Sequence, residues 1–168
     1  MKSFEEVLSV LPVGVMKEIN KMDLYLKSLP TLKFKRTVDK KNNKISYVSI
    51  EYGISYLIKL KNTSQEFGWY YIYDKQEEKW YRKTDYMINV FKSINSDIAE
   101  RLFGFLTECT FCRDVENCGR LLYEYKGQKK TTHYGRVILG LKKQDFDDVK
   151  EFFNFLETLY YNKLSSKI

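Results

Sequence analysis

Between residues 32 and 82, short runs of β-favouring side chains alternate with polar turns, and this spacing constrains the fold more than any other feature of the chain. Leu32 to Val38, Ile45 to Glu51, Ile54 to Leu60 and Phe67 to Tyr73 read as strands, and Lys79 to Arg82 adds a short one. Asp39-Lys40-Lys41-Asn42-Asn43, Tyr52-Gly53, Asn62-Thr63-Ser64-Gln65-Glu66 and Asp74-Lys75-Gln76-Glu77-Glu78 interrupt them. Short strands joined by close turns pair with their neighbours in an antiparallel meander. Side chains alternate along a strand. In the second run this puts Ile45, Tyr47 and Ser49 on one face and Val48 and Ile50 on the other.

The flanks carry a helical period instead. Ser3 and Glu6 have capping-box spacing and predict a short helix over residues 3–10. Pro12 then opens a second helix from Val13 to Leu29, with Met16, Ile19, Met22 and Leu26 on its apolar side and Pro30 as its stop. Thr84 or Asp85 caps a helix ending near Phe91. Asn95 or Ser96 caps the next, where Ile98, Leu102, Phe105 and Leu106 form one apolar face. A hairpin follows, with Leu121 to Tyr125 and Thr132 to Leu139 as strands and Lys126 to Lys129 as the turn. The last helix starts near Asp145, and Phe146, Val149, Phe152, Phe153, Leu156 and Tyr160 make its core face. Asp145, Asp147 and Asp148 lie in its first turn, where the helix dipole favours negative charge.

The expected fold is therefore α+β: an antiparallel meander sheet of four to six strands packed by two long helices. A cysteine-containing loop precedes the C-terminal hairpin and helix. Residues 1–164 form a single domain and residues 165–168 a frayed tail. The 168 residues suit one core, and 43% hydrophobic with 30% charged content excludes a disordered chain. No apolar run approaches the roughly 20 residues that cross a bilayer, and the N-terminus lacks the apolar stretch of a signal peptide. The location to expect is cytoplasmic, with no membrane partner. The net charge of +7 invites nucleic acid. The lysines are scattered, however, with short runs only at Lys40-Lys41, Lys129-Lys130 and Lys142-Lys143. Abundant Lys, Ile, Asn and Tyr with a single alanine, Ala99, has the look of an AT-rich genome.

All three cysteines and the only histidine fall between Cys109 and His133. Cys109-x2-Cys112 is the spacing by which one turn offers two thiolates to Zn²⁺, and Cys118 with His133 would complete a tetrahedral set. An odd cysteine count suits reduced thiols or a metal better than a disulfide framework. A hairpin centred near Gln128 would put His133 opposite Tyr123. It would then lie on the order of 16 Å along the strand from Cys118. On that geometry Glu108, Asp114, Glu116 or water fills the fourth position, and a water would make the site open and catalytic. Packing of the thiols as small hydrophobes, and a redox pair at Cys109 and Cys112, are the competing readings.

Cys109-x2-Cys112-x5-Cys118, then Tyr123-Glu124-Tyr125-Lys126-Gly127, a Gly135-led apolar strand and an acidic-start helix resemble the C-terminal part of small uncharacterised Clostridia-type bacterial proteins. The resemblance covers residues 105–160. Those proteins carry a further cysteine just before a glycine, where this chain has His133 or Tyr134. The resemblance implies an α+β fold and a metal, and names no activity.

Aromatic side chains crowd the stretch from Phe67 to Tyr81. Alternation puts Phe67, Trp69, Tyr71 and Tyr73 on one sheet face, near Lys75, Lys79 and Arg82. That set can stack bases, line a pocket for a small molecule, or simply be core. No nucleophile elbow, phosphate loop or dinucleotide fingerprint is present. Asp147-Asp148 reads as a helix cap and Glu77-Glu78 as a solvated turn, rather than as paired catalytic carboxylates. The leading expectation is a non-enzymatic binding protein with a small structural zinc site at Cys109, Cys112, Cys118 and His133. The alternatives are a nucleic-acid-binding module using the aromatic, basic sheet face, and an enzyme with an open zinc or a reactive thiol.

Overall fold

The computed structural model describes residues 3–69, 72–74, 79–81, 96–108, 121–132 and 136–165. In chain order the elements are α1 (Phe4–Leu8), α2 (Val13–Lys27), β1 (Lys35–Asp39), β2 (Lys44–Ser49), β3 (Ile54–Lys59), β4 (Ser64–Trp69), β5 (Ile72–Asp74), β6 (Lys79–Tyr81), α3 (Ser96–Gly104), β7 (Leu121–Tyr125), β8 (Gln128–Thr132), β9 (Val137–Gly140) and α4 (Lys143–Ser165). The fold is α+β. Strands β1 to β4 form the antiparallel meander, and β9 joins the β4 edge to give the order β1-β2-β3-β4-β9. Strands β5–β6 and β7–β8 are separate two-stranded ribbons.

The registers align two buried rows, apolar but for Gln65, across one face of the sheet. Tyr47, Tyr56, Phe67 and Val137 form one, and Ile45, Ile58, Gln65 and Leu139 the other. Helix α4 covers this face. Its Phe152 and Phe153 rings lie 4.8 Å and 5.7 Å from Phe67, and all six expected core residues of the helix are buried. Helix α2 runs alongside α4 in the same direction. The Tyr25 hydroxyl donates to Lys150 O and Asn154 Oδ1, both at 2.8 Å. Farther along, Glu157 accepts from the Thr31 and Leu32 amides at 2.6 Å and 2.9 Å. A half-buried carboxylate thus closes the loop that leads from α2 to β1. Helix α1 is capped as its sequence predicts: the Ser3 amide donates to Glu6 Oε2 at 2.6 Å and the Glu6 amide to Ser3 Oγ at 3.3 Å. No helix among the described residues is long and apolar enough to cross a membrane.

Several boundaries differ from expectation for physical reasons. Ser64, Gln65 and Glu66 were expected in a turn, yet they pair with Lys59, Ile58 and Leu57 and begin β4. Their polarity is satisfied within the sheet. Tyr56 Oη donates to Gln65 Oε1 and Gln65 Nε2 donates to Gly140 O. The expected strand from Thr132 to Leu139 is divided: Thr132 ends β8 in the hairpin, while Val137 starts β9 in the main sheet. The hairpin turn is only Lys126-Gly127, with φ of 47° and 77°. Positive φ at both central residues is the tight hairpin geometry that matches strand twist. Phe105 is exposed rather than core because α3 ends at Gly104, and Phe103 is buried in its place. Helix α4 begins two residues before Asp145 and includes Ser165, which was expected in the frayed tail. The helix expected at residues 84–91 and residues 166–168 lie outside the described residues.

Thr63 holds φ 45° in the β3–β4 turn. This left-handed conformation costs a β-branched residue roughly 1–2 kcal/mol, and glycine avoids that cost. Thr63→Gly is expected to stabilise the protein by about 1 kcal/mol after glycine's larger unfolded-state entropy is counted. A urea melt that shows Thr63→Gly to be destabilised would contradict this reading of the turn.

Candidate functional site

Cys109, Cys112, Cys118 and His133 lie outside the described residues, as do Asp114 and Glu116. The chain on either side of them is described. The Thr107 amide donates to Arg136 O at 2.8 Å, and Leu106 bridges Val137. Lys130 Nζ donates to the Gly104 and Leu106 carbonyls at 2.8 Å and 3.1 Å, which ties the β7–β8 hairpin to the end of α3. At the open end of the hairpin, Leu121 pairs with Thr132. Glu108, which follows Thr107, directly precedes Cys109 in the chain; Leu121 comes three residues after Cys118, and Thr132 directly precedes His133. The points where the chain leaves and re-enters the described structure around the candidate ligands are therefore gathered in one region.

The hairpin register also corrects the distance argument. Tyr123 pairs with Lys130, not with His133. The turn is tighter than the one centred near Gln128, so the objection that strand geometry holds His133 and Cys118 on the order of 16 Å apart no longer applies. Among the described residues no group of three or more His, Cys, Asp and Glu side chains is gathered to hold a cation.

The aromatic stretch does not form one strand. Trp69 closes β4 opposite Ile54 in the main sheet. Tyr73 pairs with Trp80, and Lys79 with Asp74, in the separate β5–β6 ribbon. Phe67, expected on the same face, is fully buried against α4. Tyr71, Lys75 and Arg82 lie outside the described residues.

Four charged clusters, built on buried Asp23, Asp148 and Glu66 and on half-buried Glu157, join elements through pairings that sequence reasoning did not identify. Asp23 is 5% exposed. Its Oδ1 accepts from Tyr47 Oη at 2.8 Å, and its Oδ2 accepts from Arg36 at 2.8 Å and Lys27 at 2.7 Å. The Arg36 guanidinium also lies 4.0 Å from the centre of the Phe4 ring. Burial, then the Asp23 charge beside it, pushes the Tyr47 phenol far above its usual range. Arg101 on α3 donates to Asp148 at 2.6 Å and to Asp145 at 3.1 Å on α4, and Gln144 donates to the other Asp148 oxygen. Asp148 is thus a buried ion-pair partner as well as a first-turn residue. On the other sheet face, buried Glu66 accepts from Lys59 at 2.5 Å and Arg136 at 3.3 Å. The fourth is Glu157, on the loop amides described above.

Both oxygens of Asp23, Glu66, Asp148 and Glu157 already accept from protein donors. Such carboxylates join elements together and are poor candidates for a base or a metal ligand. One signal could have exposed the first of them. Asp23 sits four residues after Ile19 and three before Leu26, inside the apolar stripe of α2, where an unpaired charge would be costly. No protein-family model, no curated protein and no solved structure matches the chain.

Proposed function

We propose that this chain is a non-enzymatic cytoplasmic binding protein whose cysteine loop is held by a small structural zinc site. Cys109, Cys112 and Cys118 would supply thiolates and His133 the fourth ligand. The observation that supports this reading is the convergence of the chain around the four residues: Thr107 on Arg136, and Leu121 on Thr132. Composition points the same way. Between Thr107 and Leu121 the only large apolar side chains are Phe111 and Val115. A segment of that length with so little to bury would gain order from a metal cross-link. Four protein ligands would leave no open position, which suits a structural rather than a catalytic ion.

Native mass spectrometry of protein purified without chelator, with a thermal melt before and after chelation, tests the reading. One zinc per chain and a lower melting temperature on stripping are expected, with Cys109→Ser and Cys112→Ser destabilised in the same direction. Metal-free protein with all three thiols titratable would overturn it. Zinc that leaves without changing the melt would overturn the structural role and favour an open site.

A further inference from the structure

Topology collects lysines that are scattered in the sequence. The β1–β2 turn, the β3–β4 turn and the β9–α4 turn all fall at one end of the five-stranded sheet, because β2 and β4 run away from that end while β1, β3 and β9 run towards it. The first two turns are joined directly, with the Leu60 amide donating to Asn43 O at 2.9 Å. This end carries Lys40, Lys41, Lys44, Lys59, Lys61, Lys142 and Lys143, and so unites two of the three lysine pairs of the chain. Lys59 is paired with Glu66 and Lys143 with Asp147. Lys40, Lys41, Lys44, Lys61 and Lys142 enter no ion pair among the described residues. Asp39 is the acidic neighbour within the turns, and its oxygens accept from the Asn42 amide and side chain.

We propose that this lysine rim is a binding surface for the phosphate backbone of nucleic acid. The five strands span about 19 Å at their usual spacing, a length that faces about five or six phosphates of one DNA strand. Exposed Asn43 and Asn62 stand among the lysines and supply the neutral hydrogen-bonding groups common at phosphate and sugar contacts. A membrane surface fits less well. Of the large hydrophobic side chains exposed among the described residues, only Val10 and Val13 lie towards this end, at the start of α2. Neither is the aromatic or leucine anchor of an interfacial protein. The proposal is independent of zinc and of the aromatic stretch, so its failure would leave the metal reading untouched.

The test is fluorescence anisotropy with a labelled duplex DNA of mixed sequence, across a salt series. Two triple variants are compared with the parent: Lys41→Gln, Lys61→Gln, Lys142→Gln in the rim, and Lys33→Gln, Lys35→Gln, Lys129→Gln elsewhere. All six positions are exposed, so each variant is expected to keep the parent's melt. The expected result is binding with a dissociation constant of about 1–100 μM at low salt, steeply salt-dependent and insensitive to sequence. The rim variant should lose about 0.9 in log–log salt slope for each lysine that meets a phosphate, so up to about 2.7, while the control triple changes little. No binding below about 100 μM at low salt, or equal weakening by both triples, would overturn the proposal. So would capture by anionic phospholipid vesicles without binding to DNA.

Discussion

Raising the pH is expected to unfold this protein cooperatively near pH 11. The cause is a set of buried and half-buried phenols. Tyr25, Tyr47, Tyr52, Tyr56 and Tyr160 all have pKa values raised above the ordinary 10.0, in each case chiefly by burial. Tyr160, stacked against Tyr52 at 4.2 Å between ring centres, is pushed up to about 12. The folded state binds these protons more tightly than the unfolded chain. Their stabilising contribution is therefore fully present below about pH 10 and is lost as pH rises through the folded-state values. For Tyr160 alone, two units correspond to about 2.7 kcal/mol. One unit above the ordinary phenol value, the four most strongly shifted groups, Tyr25, Tyr47, Tyr56 and Tyr160, together remove about 5 kcal/mol, against a typical total stability of about 5–15 kcal/mol. Tyrosinate absorbance and circular dichroism, followed together, check this. The two signals should change in one transition, and Tyr160→Phe should move its midpoint to higher pH. Gradual ionisation of all the tyrosines with the fold intact would contradict the account.

Asp23→Ala is the substitution expected to cost most. It would leave the Arg36 guanidinium and the Tyr47 hydroxyl without their partner, the latter beneath the sheet core, and would release Lys27. Removing one member of a buried charge network costs about 3–5 kcal/mol, because the remaining charge stays desolvated. In a chain of this size that lowers the melting temperature by about 6–20 °C. Asp23→Asn keeps the shape and part of the hydrogen bonding and should cost less. The Arg36→Met, Asp23→Leu double variant, which removes both charges, should recover part of the loss. Urea melts of the series give the ordering. If Asp23→Ala were within about 0.5 kcal/mol of the parent, the network would not join α2 to the sheet.

Much of the fold was legible because it depends on near neighbours. The Ser3–Glu6 box, the Pro12 start of α2, the apolar stripe of the final helix and the alternation of Ile45, Tyr47 and Ser49 each involve residues a few positions apart. The failures came where polar character misled. Ser64 to Glu66 look like a turn and are strand, because Gln65 finds Tyr56 and Gly140, and Glu66 finds Lys59 and Arg136. A window on the sequence cannot show partners that lie on other strands. The candidate metal ligands stand differently: Cys109, Cys112, Cys118 and His133 were identified by residue type and spacing, while only their flanking chain is described.

The sequence by itself determined the α+β class, the meander and the two long helices, since turn chemistry and periodicity act locally. Tertiary structure alone decided that β9 leaves the hairpin to pair with β4 and that Asp23 meets Arg36 and Tyr47. It alone brought Lys40 and Lys142 to one end of the sheet. These are encounters between residues far apart in the chain. Strand order and register select them through the burial and hydrogen bonding of the whole core, which no single stretch of the chain encodes.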